Sequence, residues 1–218
     1  LEDISELELK QEVALMLGGM DIYPTSKIGE IGEVVSSFYK NFDNDTYNRL
    51  LKKFELDKNK KFKELSNGMK SKFLLTLAMS HKAKLLILDE PTSGLDPYSR
   101  DQLLEEFQSY IQDGERSILF STQIVSDLES IADYIGYIKE GKILDFATKN
   151  DFVSSYKIFS TKKEVGEHID PSILVGVRES SVSFEGLIRS EDASKMPEGI
   201  ELSEPSIEEI MIFNERGK

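Results

Sequence analysis

Two carboxylates, Asp89 and Glu90, close the apolar run Leu85-Leu86-Ile87-Leu88, and Pro91-Thr92-Ser93-Gly94 follows at once. Such a run suits a strand buried on both faces of a parallel sheet. In open α/β sheets, ligands bind at the carboxyl ends of the strands. An acid placed there can hold a magnesium ion, and the acid beside it can activate a water. The same residues also read as a buried strand followed by a solvated acidic turn. Taken alone they do not choose between the two.

Three further groups carry possible chemistry. Leu65-Ser66-Asn67-Gly68-Met69 precedes an apolar helical pattern, and Ser66 is a good N-cap. The N–H groups of Asn67, Gly68 and Met69 would then lie at the positive end of a helix, which suits a phosphate. A plain helix cap fits these residues equally well. Ser93-Gly94-Leu95-Asp96 leads into Pro97, and Asp-Pro is a common way to start a helix. Ser121-Thr122-Gln123 ends another apolar run, Ile118-Leu119-Phe120.

The elements that must position these groups alternate in type. Glu12 to Leu17 reads as a short buried strand stopped by Gly18-Gly19. Ile28, Ile31, Val35 and Phe38 form one helical stripe, and Tyr47, Leu50, Leu51 and Phe54 form another. A third helix follows Ser66, carrying Phe73, Leu74, Leu77 and Ala78. A fourth runs from about Tyr98 to Gln112 and ends at Asp113-Gly114. Tyr134 to Lys139 and Lys142 to Phe146 make a hairpin around Glu140-Gly141. Strands alternating with helices predict parallel crossovers. The expected fold is α/β, with a helical insert at about 24–80. From residue 148 the segments shorten into a small α+β appendage in which no chemistry is evident, so domains of 1–147 and 148–218 are expected.

Bulk properties narrow the classes. The chain has 218 residues and a net charge of -13, which argues against a broad nucleic-acid surface. Lysines crowd residues 52–63, and a solvated helix end accounts for them. No cysteine is present, so disulfides and thiolate metal sites are excluded. His81 and His168 lie far apart in sequence and suggest no metal cluster. No apolar run reaches membrane-spanning length and no secretory signal is visible. A cytoplasmic protein is expected, with any membrane association supplied by a partner.

In their order along the chain, Leu65–Met69, Leu85–Glu90, Ser93–Asp96 and Ser121–Gln123 together resemble the nucleotide-binding domain of ABC-type ATPases. The resemblance spans residues 12–146 and implies a P-loop NTPase-like parallel sheet. It implies ATP and Mg²⁺ as ligands, with Asp89 supporting the metal and Glu90 acting as general base. Gln123 would stand at the switch position and Asp96 in a loop that crosses a dimer interface, while capping its own helix. Ser66, Asn67, Gly68 and Met69 would contact ATP held by the opposite subunit of a homo- or heterodimer. The sequence Asp89-Glu90-Pro91-Thr92-Ser93-Gly94-Leu95-Asp96-Pro97 is similar to the exporter type. That type implies a separate membrane permease and a location at the inner face of the membrane.

The chain departs from the family's pattern in places. No Gly-x-x-Gly-x-Gly-Lys-Ser/Thr P-loop occurs, and the chain begins at Leu1 without a Met, so truncation before the P-loop is expected. Gln123 replaces the family's histidine and cannot shuttle a proton near neutral pH. Gly18-Gly19 takes the position of a glutamine-bearing loop, and Asn67 and Met69 vary the signature. Two functions therefore remain open. One is an ATPase subunit driving export, active when its P-loop region is present. The other is a catalytically degenerate interaction or regulatory subunit.

Overall fold

The computed structural model describes residues 6–18 and 22–216; Gly19 of the predicted strand stop lies outside them. The chain divides into two compact units, Leu1–Ile124 and Val125–Lys218.

In the first unit, α1 (Glu6–Glu12) leads into β1 (Val13–Met16). The insert contributes α2 (Ile28–Phe38) and α3 (Asn44–Lys53), and α4 (Asn67–Ser80) follows. Then come β2 (Leu85–Asp89), α5 (Pro97–Ile111) and β3 (Ser117–Ser121). The three strands are parallel, as the alternation of elements predicts, and their order in the sheet is β1-β2-β3.

Register explains how this sheet is used. Leu15, Ile87 and Leu119 stand side by side on one face, and Ala14, Leu86 and Ile118 alternate with them on the other. The second face is the core: Ala14, Met16, Leu86 and Leu88 are buried, and Phe120 meets Phe107 of α5 with ring centroids 6.3 Å apart. The first face is open, with Leu15 56% and Leu119 61% exposed. The prediction of a strand buried on both faces thus holds on one face only among the described residues.

The insert is built by packing and by charge. Ile28 and Ile31 are buried, whereas Phe38, at the end of the same stripe, is 70% exposed. Gly32 leaves room for the Tyr47 ring, whose hydroxyl donates to the Ile28 carbonyl. Asp43 caps α3, accepting from the N–H groups of Asp45 and Thr46. These bonds and Lys82 hold its carboxyl down to about 2. Arg49 and Lys53 of α3 both donate to Glu106 of α5, which is 5% exposed. Burial opposes the Glu106 charge, but the two cations prevail and lower its pKa. The second half of α4 is buried, including Thr76 and Ser80. Their hydroxyls donate to the carbonyls of Lys72 and Thr76, so both buried hydroxyls are partnered.

The second unit begins with α6 (Val125–Ile131) and the hairpin β4 (Tyr134–Lys139) and β5 (Lys142–Thr148). Glu140 and Gly141 both have positive φ, +49° and +74°, as a tight hairpin turn requires. After α7 (Lys149–Ser154) come β6 (Tyr156–Lys162), α8 (Lys163–Gly166), β7 (Leu174–Glu179), β8 (Ser183–Arg189), β9 (Leu202–Ser203) and α9 (Ile207–Glu215). The four-stranded sheet has the order β7-β8-β6-β9 and is antiparallel. Phe152, Tyr156, Leu187, Ile210 and Phe213 form one core cluster. The α+β character expected beyond residue 148 is present. Strand β9 was not predicted, because two residues give no period to read.

Candidate functional site

The site is assembled at the carboxyl ends of β2 and β3. Parallel register sets Asp89 opposite Ser121. The Ser121 hydroxyl donates to Asp89 Oδ1 at 2.7 Å and accepts from the Glu90 N–H at 3.1 Å. One hydroxyl therefore braces the carboxylate of the first acid and the backbone of the second. On the other side, the Gly18 N–H after β1 donates to Asp89 Oδ2 at 3.4 Å. A Cβ on Gly18 would come within 3.2 Å of that oxygen, so glycine keeps the approach open.

Asp89 is exposed and Glu90 half-buried. Glu90 has φ +47°, a left-handed conformation that side chains other than glycine avoid. Glu90 thus turns the chain sharply out of the strand while presenting a carboxylate. The turn continues through Thr92, which is buried, and Gly94, whose φ of +73° suits glycine.

Asp96 ends this turn and caps α5. Its Oδ1 accepts from the Ser99 N–H at 3.0 Å and its Oδ2 from the Ser99 hydroxyl at 2.6 Å. These bonds to Ser99 lower the Asp96 pKa, with a smaller contribution from Lys72. The N-cap role read from Asp-Pro is present, with both carboxylate oxygens directed into its own helix.

Ser66 caps α4, accepting from the Met69 N–H at 3.2 Å. Of the N–H groups expected to face a phosphate, that of Met69 is thereby engaged by the cap. Gly68 sits against the turn after Glu90: a Cβ there would lie 3.3 Å from Leu95 Cδ2 and 3.4 Å from the Gly94 carbonyl. The Ser66–Met69 segment and the Asp96 loop are therefore neighbours. Gln123, two residues past β3, is exposed.

Three contributors were missed as site residues in the sequence: Ser121 as a brace, Gly18 as a donor, and Lys72, which donates to Ser99 at 2.6 Å. Ser121 is legible only once the β2–β3 register is known. Lys72 sits on a predicted helix, but nothing in the sequence names its partner.

The donor set suits a hard cation. Among the described residues no group of three His, Cys, Asp or Glu forms a protein cage. Magnesium does not need one, because it binds through one or two carboxylates together with substrate phosphates and water. Exposed Asp89, braced on both oxygens, fits that mode.

A family model described as an AAA domain, its description naming an AbiEii toxin and a Type IV TA system, matches residues 16–126, just over half of the chain. The ABC transporter ATP-binding protein YtrB of Bacillus subtilis (strain 168) is 25% identical over 149 residues, covering 68% of this chain and 51% of YtrB. The lantibiotic transport ATP-binding protein SrtF of Streptococcus pyogenes is 44% identical over 82 residues, 38% of this chain and 35% of SrtF. The bacitracin transport ATP-binding protein BcrA of Bacillus licheniformis is 38% identical over 82 residues, 38% of this chain and 27% of BcrA. The chain thus spans about half the length of YtrB and about a third of SrtF. A solved ATP-binding subunit of an ABC transporter has a TM-score of 0.59 at 26% identity, covering 65% of this chain and 61% of its own. An ATP-binding cassette in a dimeric post-hydrolysis state with ADP and Pi has a TM-score of 0.56 at 18% identity, covering 67% of this chain and 68% of its own, a likeness of fold.

Proposed function

This chain belongs to the ABC transporter ATP-binding protein family, and from that premise we propose that it serves as the ATP-binding subunit of a transporter that exports through a separate membrane permease. The observation that carries the reading is the Asp89–Ser121–Glu90 arrangement at the ends of parallel strands. Asp89 would hold Mg²⁺, which supplies charge neutralisation at the phosphates of bound ATP. Glu90 is the base that takes the proton from an attacking water. Its strained backbone fits a residue held for chemistry rather than for packing. Gln123 would orient the phosphate by donating a hydrogen bond, without proton transfer.

Ser66, Asn67, Gly68 and Met69 would meet ATP held by the opposite ATPase subunit, and Asp96 would link the two sites of that dimer. Under this reading residues 1–147 form the ATPase domain and 148–218 an appendage. The protein would sit on the inner face of the membrane through its permease; no helix among the described residues is long and apolar enough to cross a membrane. The names of SrtF and BcrA, which concern lantibiotic and bacitracin transport, favour export.

A second reading, a degenerate regulatory subunit, is favoured by one feature of the sequence: Gln123 in place of histidine.

Two measurements separate the readings. The 218-residue chain is titrated with Mg-ATP, and weak binding is expected because the phosphates lack their lysine cradle. Micromolar affinity for this polypeptide would contradict that expectation. The reading frame upstream of Leu1 is then joined to the chain, and hydrolysis is compared between wild type and Glu90→Gln. General base catalysis is worth about two to four powers of ten, so turnover should fall by that factor while ATP remains bound. Equal turnover in the two proteins would remove Glu90 from its role, and no turnover in either would favour the regulatory subunit.

A further inference from the structure

We infer that Lys72 is a positioning residue for Asp96: it ties the Asp96 loop to the helix that starts at the Ser66 cap, so that the two move as one body. The inference takes its significance from the roles proposed above for Ser66–Met69 and Asp96. The tie itself is a matter of geometry.

Lys72 lies in the second turn of α4. Its ammonium donates to the Ser99 hydroxyl at 2.6 Å, and that hydroxyl donates to Asp96 Oδ2 at 2.6 Å. With Lys72 occupying a lone pair of the serine oxygen, the serine proton must point away from Lys72, and the Asp96 carboxylate receives it. A cation and an anion are thus joined through one serine, and each bond polarises the next. Ser99 is 5% exposed, so water is poorly placed to replace either partner. The ammonium also stands 5.8 Å from the centre of the Phe54 ring at the end of α3. That contact restrains the long lysine side chain, which would otherwise lose rotamer freedom on making the bond.

A second contact spans the same gap. Gly68, at the start of α4, approaches the Gly94 carbonyl and Leu95, and Leu95 is buried. The loop is therefore held to α4 at both ends, by close packing at Gly68 and by the Lys72–Ser99–Asp96 chain. A displacement of α4 by a phosphate at its N-terminus would carry Asp96 with it. A displacement of the insert would reach Asp96 through Phe54 and Lys72.

The test is residue-resolved amide hydrogen exchange on the 218-residue chain. In Lys72→Met, exchange at Leu95 and Ser99 should accelerate about tenfold, the factor that one hydrogen bond of ordinary net strength represents. Amides of Phe107 and Tyr110, farther along α5, should keep their wild-type rates. Lys72→Arg should restore most of the protection, and adding Ser99→Ala to Lys72→Met should give less than the sum of the single effects. Unchanged exchange at Leu95 and Ser99 would overturn the inference. So would uniform acceleration along α4 and α5, which is general loosening. If Lys72→Met does not fold, Lys72→Gln gives the same comparison. No nucleotide enters the measurement, so failure of the ATP-binding reading would leave it intact, and failure of the tie would leave that reading standing.

Discussion

Ser121 and Asp89 face each other across parallel strands, and the 2.7 Å bond between them fixes the carboxylate at the centre of the candidate site. Because the same hydroxyl accepts from the Glu90 N–H, Ser121→Ala removes two bonds at once. In an exposed setting each is worth about 0.5–1.5 kcal/mol, so a stability loss of about 1–2 kcal/mol is expected. Ser121→Thr, which keeps the hydroxyl, should lose less. Chemical denaturation of the three proteins checks this, and equal stability of Ser121→Ala and wild type would show that the brace contributes nothing.

Glu90 carries a left-handed backbone that costs a side chain about 1–2 kcal/mol. Glu90→Gly removes that cost, offset by the greater entropy of glycine in the unfolded chain. The variant should be as stable as wild type or more so by up to about 1 kcal/mol, while losing any hydrolytic competence. A melting temperature well below wild type would mean that the Glu90 side chain supports the fold rather than the chemistry.

His81 gives the first unit a pH dependence. It is 3% exposed, its ring lies 3.6 Å from that of Tyr39, and its Nε2 has no hydrogen-bond partner. Burial pushes the imidazole below its ordinary 6.5, outweighing the hydrogen bond its ring donates to the Gln11 backbone and the charge of Glu12. A lowered pKa in the fold means that protonation favours the unfolded chain. The contribution is complete above the unfolded value and is lost as the pH falls through it toward the folded one. The stability margin of wild type over His81→Phe should therefore shrink as the pH is lowered from about 7.5 to about 5.5. A margin that stays constant over that range would exclude His81 as the titrating group.

Gly32 is the most closely approached glycine of the helical insert. A Cβ there would lie 2.1 Å from the Tyr47 hydroxyl oxygen and 2.4 Å from the ring carbon that bears it. Alanine would improve helix propensity by about 1 kcal/mol, yet the overlap should make Gly32→Ala a net loss of about 2 kcal/mol or more. Adding Tyr47→Phe removes the nearer atom but not the second, so the double variant should recover part of the loss. Full additivity of the two changes in thermal unfolding would show that they do not meet.

The parallel direction of β1, β2 and β3 was legible because Glu12–Leu17, Leu85–Leu88 and Ile118–Phe120 are short apolar runs separated by helical periods. The placement of Asp89, Glu90, Ser66 and Asp96 at segment ends was legible because each follows or begins such a segment. What the sequence could not give is the pairing between segments. Ser121 becomes a site residue only through its register with Asp89, and Lys72 only through the approach of α4 to the start of α5. The left-handed backbone of Glu90 was hidden for a different reason: a glutamate in that conformation runs against its own preference, and only the surrounding fold imposes it. The stripe Ile28, Ile31, Val35, Phe38 overstated the core, because periodicity marks a face but not how far along it the neighbours extend.

The open face of the three-stranded sheet makes two sides of the same strands answer differently to mutation. In this chain Leu15 and Leu119 are largely solvated, so lysine at either position should change stability by within about 0.5 kcal/mol. Ala14, one residue from Leu15 along β1, and Leu86, its partner in β2, sit in the core and would not accept such a change. A saturation library of β1, β2 and β3 would therefore show tolerance with a period of two. Any longer polypeptide in which that tolerance disappears would reveal, without a structure, that something has come to rest on the leucines.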